Sequence, residues 1–182
     1  MNPVERVENM LTMSALRRQN TTHRLPMPLH PDRLRDIIRL SIRSINQWST
    51  EAEEILLMIA AHESGLGRYL HQIGGPALGL YGMEPATESD IWASYMDYRP
   101  GLADKIAALC GLCGPSREQL QYNPLYATVM ARLKLRQCPG KLPPAYDINA
   151  MADYAKQYYN TPLGRATAEK YSLDYCRLVL QA

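Results

Sequence analysis

Glu63 is the residue of this 182-residue chain whose type and position best suit acid–base chemistry. It follows Ile55 and Ile59 at helical spacing, so it lies on or beside the apolar stripe of a predicted helix, in the last turn. Burial and the negative end of the helix dipole both favour the protonated carboxyl group and should raise its pKa. An acid that keeps its proton near neutral pH can serve as a general acid. Periodicity by itself favours the alternative, in which Glu63 points into water at a frayed helix end.

The helix that must position Glu63 has predicted ends. Thr50 is the predicted N-cap, and Glu53, three residues on, completes a capping box. Gly65 suits the left-handed conformation that commonly ends a helix. His62 is the neighbour of Glu63, but helical geometry turns it about 100° away, which predicts that it lies outside the acid site.

Two further segments carry recognisable motifs. After a loop with four glycines the chain reads Gly79-Leu80-Tyr81-Gly82-Met83-Glu84-Pro85-Ala86-Thr87. Nearer the C-terminus it reads Tyr158-Tyr159-Asn160-Thr161-Pro162-Leu163-Gly164-Arg165. Together with Glu63-Ser64-Gly65, these segments resemble the soluble lytic transglycosylase family, which has the goose-type lysozyme fold. That family reads ES-G, then G-A-x-GLMQ-x-x-PAT, then AYN-x-G-x-G-R, and the resemblance covers roughly residues 55–165.

The resemblance implies a role for each matching residue. Glu63 would be the catalytic acid, and the hydroxyl group of Tyr159 would hydrogen-bond it and orient it. The predicted substrate-binding residues are Ser64, Gly79, Leu80, Tyr81, Glu84 and Asn160. Glu84 replaces a usually apolar motif position, and the alternative interpretation is a surface charge at the start of a helix.

The chain departs from the family pattern at three positions. Tyr81 and Gly82 stand where the family has the Met and Gln of GLMQ, and Pro162 replaces the first Gly of the third motif. In the family, that Gln helps to line the sugar-binding cleft. The form GLYGMEPAT also resembles phage virion proteins that degrade cell walls.

The activity implied is cleavage of the MurNAc–GlcNAc β-1,4 bond in the glycan strands of peptidoglycan. Glu63 would protonate the leaving oxygen and then take the proton of the MurNAc C6 hydroxyl group, closing a 1,6-anhydro ring. This chemistry needs one carboxyl group, no metal and no cofactor. Hydrolysis would need a second carboxylate, for which Glu84 and Asp90 are the candidates. The rival hypothesis is a structural phage virion or tail protein with little or no catalysis, which Gly82 and Pro162 favour.

The periodic segments predict an all-α fold of the lysozyme-like, lytic transglycosylase type. Helices are expected near residues 31–48, 50–63, 88–95, 103–113, 116–122, 125–135, 148–159 and 165–180. Residues 31–182 are the predicted domain. Residues 1–30 form a predicted irregular arm, punctuated by prolines, that would dock on phage tail or capsid proteins. The arginines of the first helix lie mostly off its apolar stripe and predict a solvated face, with binding of wall phosphates or nucleic acid as the alternative.

Composition and charge narrow the function classes. Apolar residues make up 46% and charged residues 21%, which is ordinary for a soluble globular protein. A net charge of +2 does not indicate a specific nucleic-acid binder. No segment is apolar and long enough to predict a membrane span or a signal peptide. We therefore expect synthesis in a bacterial cytoplasm and action in the cell wall or periplasm, after delivery by a phage particle or a holin.

The four cysteines do not indicate a metal site. Cys110 and Cys113 have the spacing of metal ligands, but no second close pair and no paired histidine follow them. We expect buried or partly buried thiols, which suits a reducing cytosol.

Overall fold

The computed structural model describes residues 28–160 and 166–182, and 63% of the described chain is helical, with no strands. Its eight α-helices are α1 (Pro31–Ser44), α2 (Thr50–Ser64), α3 (Pro85–Asp90), α4 (Pro100–Cys110), α5 (Arg117–Tyr122), α6 (Pro124–Arg136), α7 (Ile148–Tyr154) and α8 (Ala168–Tyr175). Three of them continue into π-helical turns, α3 through Ile91–Tyr95, α7 through Ala155–Tyr159 and α8 through Cys176–Leu180. The all-α prediction is confirmed for these residues, with helix ends shifted by a few positions. The finer assignment to the lytic transglycosylase type stays a prediction.

Two helices, α2 and α6, form the centre of the molecule. In α2, Ile55, Leu57 and Met58 are all fully buried although they point in different directions around the helix. In α6, Val129, Met130 and Ala131 are buried in the same way. A helix that is apolar on nearly all sides must be covered by its neighbours. The covering helices are α1, which packs on both, α8, which packs on α2, and α4 and α5, which pack on α6.

The N-terminus of α2 differs from the sequence prediction. Ser49, not Thr50, is the N-cap, and its side chain accepts a hydrogen bond from the backbone N–H of Ala52 at 3.1 Å. The predicted capping box is therefore wrong. The side chain of Glu53 does not cap α2. It points towards α1 and is only 3% exposed.

Glu53 is the centre of a buried ionic cluster that joins α2 to α1. Its carboxylate accepts hydrogen bonds from Arg35 and Arg39, each at 2.8 Å, and from the Trp48 indole at 3.0 Å. Arg35 also pairs with Glu54. Burial alone would raise the pKa of Glu53, but the hydrogen bonds from Arg39, Trp48 and Arg35 outweigh it and hold the pKa below its ordinary value. These two arginines thus join helices and are not merely a solvated face.

We expect Glu53→Gln to lower the free energy of unfolding by roughly 2 kcal/mol at pH 7, because two arginines lose a buried partner while keeping part of their hydration. Asp153→Asn, an exposed acid in α7, should change it by less than about 0.5 kcal/mol. Urea denaturation measures both. Because the pKa of Glu53 is lower in the folded state, its contribution is present above the unfolded pKa and is lost as pH falls through the folded pKa. The wild type and Glu53→Gln should therefore converge in acid, and a constant difference would contradict this account.

Residues 1–27 hold nearly all of the predicted N-terminal arm and lie outside the described residues. The first described residues pack against the segment that follows α2, because the N–H of Leu29 donates a hydrogen bond to the carbonyl group of Leu66 at 2.9 Å. Among the described helices, none has both the length and the apolar character that a membrane span requires.

Candidate functional site

The C-terminal end of α2 is fixed to the segment that follows it. Gly65 ends the helix in the left-handed conformation, with φ 58° and ψ 49°, as the sequence predicted. The hydroxyl group of Ser64 donates to the carbonyl group of Leu80 at 2.7 Å and accepts from the N–H of Gly67 at 2.8 Å. Ser64 is 1% exposed, so direct substrate binding by its side chain is wrong. The buried hydroxyl group instead holds the helix end against residues 78–83.

Residues 78–83 form a tight turn beside Glu63. Leu78 and Met83 close it with two backbone hydrogen bonds of 2.9 and 3.0 Å. Gly82 has φ +54°, which favours glycine. A Cβ atom on Gly82 would lie 2.9 Å from Oε2 and 3.3 Å from Cβ of Glu63. The turn can therefore approach the carboxyl group only because residue 82 has no side chain.

Glu63 opens into a cleft of about 930 Å³ while its carboxyl group remains largely removed from solvent. The Tyr171 hydroxyl group donates a hydrogen bond to Oε1 at 2.5 Å. Burial raises the pKa of Glu63 above its ordinary value, and the hydrogen bond from Tyr171 and the charges of His62 and Lys134 oppose that rise. The predicted direction of the shift is confirmed, and the site holds an acid that ionises less readily than a free glutamate.

The structure brings most of the predicted site residues to one cleft. Five of the eight line it: Glu63, Gly79, Glu84, Tyr159 and Asn160. The side chains of Leu80 and Tyr81 lie in the core beneath the turn, and the hydroxyl group of Tyr81 is paired with that of Thr128 at 2.9 Å. Direct substrate contact by these two side chains is therefore wrong, because the apolar face of the turn has to cover the core. Asp90, the second candidate for a hydrolytic carboxylate, is exposed on α3 and does not line the cleft.

The phenol that holds Glu63 is Tyr171, so the assignment of that hydrogen bond to Tyr159 is wrong. The Tyr159 hydroxyl group donates instead to the carbonyl group of Tyr81 at 2.9 Å. Tyr171 is fully buried, and burial raises the pKa of its hydroxyl group while the nearby Asn160 side chain opposes that rise. Tyr171 is therefore a neutral phenol that donates its proton to the carboxyl group in a hydrogen bond. Tyr159 supports the wall of the same cleft.

A signal for Tyr171 was present in α8 but lies outside the three motifs. Tyr171 and Tyr175 are four residues apart, on the face of α8 that packs on α2. Each hydroxyl group donates a hydrogen bond to a glutamate of α2. Tyr171 donates to Glu63, and Tyr175 donates to Glu54 at 2.6 Å. Two buried tyrosines at helical spacing opposite two glutamates would have predicted this pairing.

Sequence reasoning also missed Lys134 and misplaced His62. The Lys134 ammonium group donates to the backbone carbonyl of Tyr159 at 2.6 Å and lies 4.0 Å from the centre of that ring. Burial lowers the pKa of Lys134, and the charge of Glu63 opposes that change. His62 also lines the cleft: its ring packs on Tyr171 at 4.0 Å, and its Nδ1 lies 2.9 Å from Asp174.

We expect Tyr171→Phe to raise the pKa of Glu63 further, because the lost hydrogen bond favours the carboxylate. It should also lower the free energy of unfolding by about 1 kcal/mol. Carbon-detected NMR titration of the Glu63 carboxyl group measures the first effect. Tyr175→Phe is the matched control, since it removes the same atom from the same helix but leaves Glu63 untouched. An unchanged Glu63 titration in Tyr171→Phe would show that the hydrogen bond does not form in solution.

Comparison of the chain with protein-family models, curated proteins and solved structures finds no match. The resemblance of the motifs to lytic transglycosylases therefore stays a prediction, and chemistry has to be argued from the geometry. In the described part of the chain, no group of three or more histidine, cysteine, aspartate or glutamate side chains is placed to hold a metal ion. What the cleft offers is one desolvated acid with a phenol, an imidazole and an ammonium group around it.

Proposed function

We propose that the chain is a peptidoglycan-degrading enzyme that cleaves the MurNAc–GlcNAc β-1,4 bond of glycan strands. The observation that carries the proposal is the Glu63 carboxyl group, desolvated and hydrogen-bonded at the wall of an open cleft. A buried carboxyl group of raised pKa is the group that acid-catalysed glycoside cleavage requires. The three motifs that resemble lytic transglycosylases support the same substrate and a lysozyme-like fold of that type.

The surroundings of Glu63 suit both halves of such a reaction. Desolvation keeps the proton on the carboxyl group until it is given to the leaving oxygen. Tyr171 and the ammonium group of Lys134 stabilise the carboxylate that results, which lets the same group accept a proton in the second step. Because Tyr171 is fully buried, the orientation of the acid is fixed before substrate arrives.

The cleft also suits an extended saccharide. Its volume, about 930 Å³, is near the upper end for ligand sites, which favours more than a single sugar ring. Tyr69 lines it and is 53% exposed, which leaves an aromatic face on which a sugar ring can stack. Asn160 and Glu84 add polar groups that could bind hydroxyl groups of the substrate.

We prefer lytic transglycosylase chemistry to hydrolysis. Glu84 lines the cleft but is exposed, and among the described residues its carboxylate forms no hydrogen bond or ion pair that would hold it as a base for water. Glu63 alone suffices if the MurNAc C6 hydroxyl group is the nucleophile. Delivery within a phage particle, with residues 1–30 bound to a tail or capsid protein, completes the proposal and explains how a protein made in the cytoplasm reaches the wall.

The test is loss of turbidity from purified peptidoglycan. The wild-type protein is expected to clear it, and Glu84→Gln is expected to retain most of that activity. If Glu84→Gln were inactive while Glu84→Asp kept activity, Glu84 would be the second carboxylate of a hydrolase. Absence of clearing by folded protein, together with stable binding to a phage tail or capsid component, would favour the structural protein.

A further inference from the structure

A second cavity, of about 560 Å³, lies on the opposite side of α6 from the Glu63 cleft. Arg132 and Arg136 line it, four residues apart on one face of the helix, whereas Lys134 between them faces the cleft. Its other charged lining residues are Lys141 and Glu51. This cavity therefore has three positive groups and one negative group, and it is separate from the site of the proposed function.

Arg132 is the unusual residue of this cavity because it is buried and no carboxylate of the described residues pairs with it. It is 6% exposed, and its Nε donates to the backbone carbonyl of Gln47 at 3.1 Å. Its terminal nitrogens have no hydrogen-bond partner in residues 28–160 or 166–182, and no carboxylate there forms an ion pair with it. Burial, followed by the like charge of Arg136, lowers the pKa of Arg132 to about 10. A desolvated cation without a partner is costly to keep.

Arg132 lines the cavity, although it is only 6% exposed and belongs to the buried residues of the chain. Its side chain therefore combines a largely desolvated positive charge with a position at the cavity wall. A guanidinium group presents its N–H donors in a fixed plane that matches two oxygens of one anion.

The neighbouring groups do not neutralise this charge. Glu51 lines the same cavity, but it forms no ion pair within the described part of the chain with either arginine or with Lys141. The C-terminal end of the α6 dipole favours cations nearby. The dipole does not, however, give hydrogen-bond acceptors to the terminal nitrogens of Arg132. The cavity is therefore built for an anion with several acceptor oxygens.

We propose that this cavity binds a phosphate group, with Arg132 and Arg136 as its principal ligands and Lys141 as the third cation. A phosphate group offers more acceptor oxygens and more negative charge than a carboxylate, which suits three cations that line one cavity. The group could be inorganic phosphate or a phosphate ester, since both present the same oxygens. The proposal does not depend on catalysis by Glu63.

Isothermal titration calorimetry of the full chain at constant ionic strength tests the proposal. Inorganic phosphate and glycerol 3-phosphate are the two probes, with chloride as the reference anion. One binding site per chain is expected for phosphate, and the relative affinity of the ester identifies the source that the cavity favours. Glu63→Gln should bind phosphate like the wild type, which separates this proposal from the proposed function.

Variants of the cavity decide whether the binding is specific. Arg136→Gln and Lys141→Gln should each weaken phosphate binding by about tenfold or more, since each removes a charge-assisted contact. Arg132→Met should abolish binding yet keep or raise thermal stability, because it removes an unpaired buried charge. Arg117→Gln, an exposed arginine at the start of α5, is the matched control and should bind normally. No measurable heat with wild type, or equal affinity in Arg136→Gln and Arg117→Gln, would overturn the proposal.

Discussion

Glu63→Gln is expected to lower the rate of peptidoglycan clearing by about a thousandfold, within the range that general acid–base catalysis contributes. Gln has almost the same shape as Glu and can still accept a hydrogen bond from Tyr171, but its amide group has no acidic proton to transfer to the leaving oxygen. Turbidity loss at pH 7 measures the effect. Glu118→Gln removes an exposed carboxyl group from α5 and should clear peptidoglycan at the wild-type rate.

The same substitution should not destabilise the fold. Because burial raises the pKa of Glu63, its contribution to stability is full below the unfolded pKa and is lost as pH rises through the folded pKa. Gln cannot ionise, so above that pH the Tm of Glu63→Gln should equal or exceed that of wild type. An inactive variant with a lower Tm would point to damage to the fold and would contradict the account of Glu63 as a desolvated acid.

Gly82→Ala is expected to lower activity by about a hundredfold, because its Cβ atom would displace the acid. The new atom would lie 2.9 Å from Oε2 and 3.3 Å from Cβ of Glu63, so we expect the Glu63 side chain to leave the position in which Tyr171 holds it. A displacement of about 1 Å at a reacting group can cost that factor. The positive φ of Gly82 adds about 1–2 kcal/mol of backbone strain.

The control for Gly82→Ala separates the effect of backbone strain at a positive φ from the effect of the contact between the new Cβ atom and Glu63. Gly111 ends α4 with φ +70°, and a Cβ atom there would meet nothing within 4 Å. Gly111→Ala should therefore lose similar stability but keep activity. If the two variants had equal activity, the contact of Gly82 with Glu63 would be irrelevant to catalysis.

The contact between Gly82 and Glu63 also changes how the departure from the family motif is interpreted. In the family that the motifs resemble, the position of Gly82 holds a Gln that helps to line the sugar-binding cleft. The structure leaves no room there for a side chain while Glu63 stays on Tyr171. We therefore expect Gly82→Gln to be less active than wild type.

The helices and the position of the acid could be predicted because they depend on short-range patterns. Apolar spacing predicted the Glu63 helix, and Gly65 predicted its end. The conflict between a carboxyl group and an apolar stripe predicted the raised pKa of Glu63. These features need no knowledge of what packs on the helix.

The partners of Glu63 could not be predicted because they depend on tertiary packing. Tyr171 lies 108 positions along the chain from Glu63, and only the packing of α8 on α2 brings the two together. The predicted capping role of Glu53 was wrong for the same reason. Arg35 and Arg39 of α1 bind its carboxylate, and the sequence around Glu53 does not reveal that contact. Lys134 carried a usable signal, because a charged residue in a helix that is buried on nearly all sides needs an explanation.

Mass spectrometry of the products that wild type and Glu63→Gln release from purified peptidoglycan tests the central claim most directly. The account predicts soluble fragments with 1,6-anhydro-MurNAc ends from wild type and none above background from Glu63→Gln. Reducing ends from wild type alone would keep Glu63 as the acid but replace transglycosylation by hydrolysis. The same fragments from both proteins would contradict the account, because Glu63 would then not be the catalytic group.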